Sequence, residues 1–355
     1  MQKTIGNYRW TICALVFFAT TINYLDRQVI SLLKSVLSDE LHWNDGDYAN
    51  IEIAFKVFYA FGMLGAGRII DKLGTKIGYA VATGLWSVAA VCHAFASSVL
   101  SFAVVRSFLG ITEAGNFPAA IKTTAEWFPK KERALSTGIF NSGSNLGAII
   151  APLTVPFIAM AWGWKWAFIL TGLIGFVWLI LWFIFYEVPA KQKRLSAAEY
   201  EYIHSDKDET AEQEIAGAKI SWGKLLRYKQ TWAFAIGKFL TDPVWWFCLF
   251  WLPDFRESQY KLSLTEIAIP VAAVYMLSTI GSVGGGWLPF SLIKSGWSVF
   301  RARKFSMLIF AILVVPILFA QVAGGVNMWL AVLMISPTAS AHPPWSAKIF
   351  TTVSV

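Results

Sequence analysis

Ionisable side chains stand at a few points inside otherwise apolar runs of this 355-residue sequence. Asp26 and Arg27 are adjacent in "FFATTINYLDRQVIS", where Trp10 to Leu25 carry no charge at all. Lys56 and Tyr59 stand in "AFKVFYAFG", and Arg106 and Glu113 in "RSFLGITE". On a helix Tyr24 and Arg27 share a face at i, i+3, as do Arg106 and Glu113 at i, i+7. A guanidinium binds a carboxylate through two charge-assisted hydrogen bonds, and tyrosine hydroxyls reach the hydroxyls of a polyol. A desolvated carboxyl group holds a proton that a neighbouring guanidinium loosens, so loading or removing an anion moves that proton. The set predicts a site for a hydroxylated carboxylate with a proton to exchange. The plainer expectation is structural, with Asp26–Arg27 and Arg106–Glu113 as internal ion pairs that only hold helices together. Lys238, Asp242 and Trp245, at i, i+4, i+7 on one inward face, read equally as part of a site or as a self-satisfied helix pair.

Composition dictates what must position these residues. Hydrophobic residues make up 56% of the chain and charged ones only 15%, with 18 Trp and 27 Phe, and the mean hydropathy is +0.53. A soluble chain would carry roughly a quarter charged residues. Apolar stretches of about 20 residues, enough to cross ~30 Å of hydrocarbon as helix, recur throughout. They lie at 10–33, 48–68, 77–97, 99–120, 134–159, 165–188, 231–253, 266–289, 303–323 and 327–352. They are continuous runs without period-2 alternation, which argues against a β-barrel. The sequence therefore predicts an all-α polytopic membrane protein. In hydrocarbon an ionisable group is costly unless it faces a polar cavity, so such a group marks a functional site by default.

The formal net charge is +8, and its placement is informative. Lys3 and Arg9, then Arg68, Lys72 and Lys76, then Lys122, Lys130, Lys131 and Arg133 fall in alternate loops. The pattern continues through 191–229 and at Lys294, Arg301, Arg303 and Lys304. This alternation places the N-terminus and the basic loops in the cytoplasm. The positive charge orients helices and meets anionic lipid headgroups, so a nucleic-acid partner is not expected. With helix one entering from inside at 1.5 Å per residue, Arg27 lies about 24 Å up from the inner surface. From the outer surface Arg106 lies about 10 Å down, Lys56 about 12 Å and Tyr59 about 16 Å. Asp26, Arg27, Lys56, Arg106 and Glu113 thus share one depth of the N-terminal half. By depth Lys56, and by its inward face Trp245, join the candidate substrate contacts.

Other chemistries find little support. Cys13, Cys92 and Cys248 fall one per predicted helix without CxxC spacing, as packing residues do. His93 and His204 are expected near loops and solvated, His42 in an outer loop and His342 in the last helix. None has a ligand neighbour at i+3 or i+4, so no metal site is expected. "GSVGGGW" lacks the Lys–Ser/Thr ending of a phosphate-binding loop. No nucleophile–base pair occurs, and no catalytic residue or enzymatic activity is expected.

A hydrophilic segment, 189–230, separates an N-terminal region of six spans (1–188) from a C-terminal one of four (231–355). Within it "LSAAEYEYIHS" predicts a short surface helix. The loop after helix two reads "GRIIDKLGTK". Gly67 and Gly74 suit a tight turn, Asp71 can cap a neighbouring helix N-terminus, and Lys72 and Lys76 stay cytoplasmic. This loop resembles the signature of the major facilitator superfamily. A weaker echo, "GGWLPFSLIKSGWSVFRARK", keeps Gly286 and Gly296 and departs at Pro289. "NYLDR", "RSFLGITEAGNFPA", "EWFPKKERALSTGIFNSGSNLGAIIAP" and "GKFLTDPVWWF" resemble the anion:cation symporter branch, and within it the bacterial hexuronate and galactonate transporters.

The resemblance implies a six-helix N-terminal bundle and, here, an incomplete four-helix C-terminal one. It implies import of a sugar-acid anion by alternating access, the substrate being a hexuronate such as glucuronate or galacturonate, or an aldonate such as galactonate. The proton is the coupling ion and no other cofactor is implied; a monomer in the bacterial inner membrane is expected. By resemblance Tyr24, Arg27 and Tyr59 match substrate-binding positions, Asp26 and Glu113 match proton carriers, and Arg106 matches a residue that pairs with Glu113. A twelve-helix transporter would need two more spans after Val355. Pro343–Pro344 is expected to kink the last helix, and Lys348 stands where the resemblance has an uncharged polar residue. An inactive fragment, or a non-transporting receptor on the same fold, is therefore also an expectation.

Overall fold

Helices are what long apolar runs must form in hydrocarbon, because a helix satisfies its own backbone hydrogen bonds. The computed structural model describes residues 6–205, 222–260, 263, 266 and 268–353, and these contain helices and no strands. One unit, Met1–Glu212, holds α1 (Tyr8–Leu32), α2 (Lys34–Leu41), α3 (Asp45–Leu73), α4 (Thr75–Cys92), α5 (Val99–Glu113), α6 (Asn116–Trp127), α7 (Lys130–Trp162), α8 (Trp164–Phe185) and α9 (Ala197–His204). The other, Gln213–Val355, holds α10 (Lys229–Tyr260), α11 (Ala268–Lys294), α12 (Val299–Ile312), α13 (Ala320–Val326) and α14 (Met328–Val353). The unit boundary falls inside the expected 189–230 linker, of which 206–221 lie outside the described residues.

Two expected spans are broken by proline. The fourth ends as α5 at Glu113 and resumes as α6; Pro118 has no N–H to donate to the Ala114 carbonyl. The ninth divides into α12, a 3₁₀ segment Val315–Phe319 with Pro316 near its start, and α13. By contrast α14 stays helical through Pro343 and Pro344. Five helical stretches among the described residues are long and apolar enough to cross a bilayer by length and composition alone: Asp45–Leu73, Thr75–Phe95, Leu135–Trp162, Trp164–Phe185 and Lys304–Val326. α1 is 25 residues long but gives its buried face to Thr20, Thr21, Asn23, Asp26, Arg27 and Gln28. Meanwhile Phe61, Leu64, Val104 and Ile180 are more than half exposed. Polar groups inside and apolar ones outside is the distribution that a lipid solvent selects.

In the first unit α1 packs on α7, α3 on α5 and α4 on α8. The α1–α7 contact depends on Gly143 and Gly147 of "GSNLG", where a Cβ would run into the carbonyls of Phe17 and Thr21. Small residues four apart are what allow helix backbones to approach this closely. Gly147→Val should therefore push α1 outward and lower stability by about 1–3 kcal/mol, the usual cost of overpacking. The check is the melting temperature of the purified protein in detergent, and an unchanged value would refute this reading of the contact. In the second unit α11 packs on α14 through Val274, Val332, Ile335 and Ala339. Two serine hydroxyls cross that contact, Ser278 donating to the Ala339 carbonyl and Ser340 to that of Leu277, each at 2.9 Å.

The basic loops of the first unit collect at one end of it. Lys76 donates to Glu187 at 2.7 Å and holds that carboxyl below its usual range. The expected turn of "GRIIDKLGTK" is made by Gly74, whose φ is +75°. Gly67 makes no turn; it lies inside α3, because the helix continues to Leu73. Asp71 does not cap a helix either, since Lys122 of α6 reaches it at 2.8 Å, and Lys72 is exposed in the last turn of α3. The linker helix α9 is not a bare surface helix. Its Glu199 is buried and accepts hydrogen bonds from the Tyr8 and Arg9 amides, both at 3.1 Å, where α1 has donors without partners in its own helix.

Candidate functional site

α1, α3 and α5 carry three acids and three bases into the interior of the first unit: Asp26 and Arg27, Glu52 and Lys56, Arg106 and Glu113. Arg27 is 3% exposed, and its Nε donates to Glu113 Oε2 at 2.5 Å. Its guanidinium lies over the rings of Tyr24 (4.8 Å), Tyr59 (4.6 Å) and Phe55 (5.6 Å to the centroids). Tyr24 and Tyr59 are each partly exposed, so the aromatic wall around the arginine opens on one side. A cation set against aromatic faces keeps its charge in a dry setting, and its planar fork suits a carboxylate.

Arg106 is fully buried and does not pair with Glu113. Its Nε and Nη2 donate to Glu52 Oε1 at 3.2 and 2.9 Å, and Nη2 also donates to the main-chain carbonyl of Arg27 at 2.9 Å. The Phe55 ring lies 4.6 Å beneath it. The expected partners are thus exchanged: Arg27 holds Glu113 and Arg106 holds Glu52. The i, i+7 spacing of Arg106 and Glu113 places them two turns apart along α5, about 10 Å, which favours partners on neighbouring helices. Glu52 stands outside the constellation expected from sequence, although the same signal marks it: an ionisable group in an apolar run, four residues before Lys56. Half-buried Lys56 is within electrostatic reach of both Glu52 and Arg106.

Asp26 does not pair with Arg27. Consecutive residues on a helix point about 100° apart, so the acid leaves the face on which the arginine works. It is 2% exposed, and neither of its oxygens has a hydrogen-bond partner among the described residues. Glu113 and Arg106 lie within its electrostatic reach, with the Thr171 hydroxyl of α8 beside it. Breaking a buried ion pair on one side costs about 3–5 kcal/mol, so each of the two pairs holds as long as both partners keep their charge. An anion or a proton that changes one charge must therefore be answered by a rearrangement of its partner.

Comparison with known proteins fits this arrangement. Residues 16–353 match the Major Facilitator Superfamily. The chain belongs to that superfamily. It is 33% identical over 352 residues to the hexuronate transporter of Escherichia coli (strain K12), covering 99% of this chain and 81% of that protein. It is 36% identical over 291 residues to the galacturonate transporter of Dickeya chrysanthemi, covering 82% of this chain and 84% of that protein. Among solved structures, a bacterial homolog of the human lysosomal transporter Spinster, inward-facing and occupied, superposes with a TM-score of 0.72 at 18% identity over 98% of this chain and 75% of that one. The xylose transporter XylE from E. coli, partially occluded and inward open, does so at 0.69 with 16% identity over 98% and 84%. Both share the fold.

The second half of this major facilitator protein carries less of the expected site. Lys238 and Asp242 form an i, i+4 ion pair at 2.7 Å along α10. Trp245 lies on the same helix, and its side chain is outside the described part of the structure. His93 is not solvated as expected. It is fully buried, stacked on Phe168 at 5.0 Å with Nδ1 2.8 Å from the Ala89 carbonyl, because the chain after α4 turns inward through a 3₁₀ segment.

Proposed function

We propose that this protein imports a sugar-acid anion, a hexuronate such as glucuronate or galacturonate or an aldonate such as galactonate, together with protons by alternating access. The observation that carries the reading is the buried Arg27 guanidinium, walled by Tyr24 and Tyr59 and engaged with the Glu113 carboxylate. A substrate carboxylate and Glu113 compete for the same fork. When Glu113 takes a proton its claim on Arg27 weakens and the guanidinium turns to the substrate, so proton and anion are accepted together. Tyr24, Tyr59 and Lys56 supply further donors, and Asp26 is the second proton carrier. By their i, i+4, i+7 spacing, Lys238, Asp242 and Trp245 are the candidate substrate contacts of the C-terminal half. The proton is the coupling ion, with no other cofactor and no enzymatic step. The working form is a monomer in the bacterial inner membrane, with the N-terminus and the 189–230 segment cytoplasmic.

The names of the relatives support the substrate class, and the gathering of basic groups at one end of the first unit supports the orientation. The test is uptake of labelled glucuronate, galacturonate and galactonate into proteoliposomes under an imposed pH gradient, acidic outside. At least one of them should accumulate above equilibrium and leak back when a protonophore is added. Uptake of none, or uptake indifferent to the gradient, would refute the proposal.

A further inference from the structure

Glu52 is 1% exposed, and its Oε1 accepts both hydrogen bonds that Arg106 directs at a carboxylate. The same guanidinium reaches the main-chain carbonyl of Arg27, so Glu52 on α3, Arg106 on α5 and the backbone of α1 form one chain of contacts. Glu113 lies within electrostatic reach of Arg106, yet among the described residues only Arg27 donates to it. Two buried acids thus share out two arginines, and the choice of partner decides which base is engaged with Glu113. Besides Glu52, the acids within electrostatic reach of Arg106 are Glu113 and Asp26, and Glu113 is the one already engaged with an arginine.

We infer that Glu52 is a positioning residue for the substrate cavity: by occupying Arg106 it keeps that arginine off Glu113, so that Glu113 bears on Arg27 and the substrate carboxylate must displace it. The inference rests on the sugar-acid reading above. It carries a sign that a merely structural role would not. Without the Glu52 charge, Arg106 takes over Glu113 and frees Arg27, and the cavity also loses one negative charge. Both changes favour an entering anion. A residue that only braced α3 against α5 would, on removal, weaken binding.

The experiment is the KM for labelled glucuronate and galacturonate in counterflow, which needs no proton gradient, in proteoliposomes of wild type, Glu52→Gln and Glu52→Gln/Arg106→Gln. Glu52→Gln should lower KM by about threefold to tenfold, the scale of one charge at about 10 Å in a partly polarisable interior. The double variant leaves Arg27 with Glu113 and should return KM to within about threefold of wild type. An unchanged or raised KM in the single variant would overturn the inference, as would a lowered KM that persists in the double variant. The double variant removes both charges of one buried pair, so it remains decisive if the single one fails to insert. A loss of affinity beyond threefold in it would show that Arg106 itself holds the substrate. Wild type that exchanged neither sugar acid would sink the sugar-acid reading; wild type that exchanged them with no response to Glu52→Gln would sink only the role of Glu52.

Discussion

Arg27→Lys is expected to weaken sugar-acid binding by at least tenfold while leaving membrane insertion normal. Lysine keeps the positive charge and loses the planar fork, and the two side chains are not equivalent where a carboxylate is held by two parallel hydrogen bonds. A charge-assisted hydrogen bond contributes about 1.5–3 kcal/mol, or roughly tenfold to more than a hundredfold in affinity. The aromatic wall adds to the contrast, because the Tyr24 and Tyr59 ring centroids lie 4.8 and 4.6 Å from the guanidinium, and a planar guanidinium stacks on aromatic faces where an ammonium does not. Binding of glucuronate to purified protein, followed by calorimetry, gives the number directly. A neutral sugar lacking the carboxylate should bind poorly to both forms. Wild-type affinity in the lysine variant would mean that the anion is held elsewhere, with Lys56 and Arg106 the next residues to replace.

The second large effect is expected in coupling. Glu113→Gln should abolish accumulation against a gradient and preserve exchange, because glutamine cannot carry the proton and no longer competes for Arg27. Asp26→Asn should also abolish accumulation, since an amide of the same shape occupies the site without titrating. The two variants should differ in binding. Glu113 is engaged with Arg27, so its neutral replacement should hold the sugar acid at least as tightly as wild type. Asp26 has no such engagement with Arg27, so Asp26→Asn should leave affinity near the wild-type value. Parallel measurements of uphill uptake and counterflow separate the two roles. If both variants still concentrated substrate, the coupling groups would have to lie elsewhere in the protein.

Much about this protein was legible in its residues alone, and the reason is the solvent. Long apolar runs in a chain with so few charges can only be membrane helices, and in that setting each ionisable group is conspicuous. Arg27, Arg106 and Glu113 could therefore be singled out before any packing was known. Gly74 was legible as well, since a turn between two consecutive spans needs a residue that tolerates positive φ. Sequence spacing, however, measures position along one helix and carries no information about which neighbour a side chain meets. The pairing of Arg27 with Glu113 and of Arg106 with Glu52 was decided by the packing of α1, α3 and α5, as was the turning of Asp26 away from the arginine beside it. The burial of His93 and the docking of Glu199 under α1 belong to the same class. Hydrophobicity selects the solvent and the helices from local composition, whereas a buried charge chooses its partner by distance across helices. Those distances exist only once the bundle has closed.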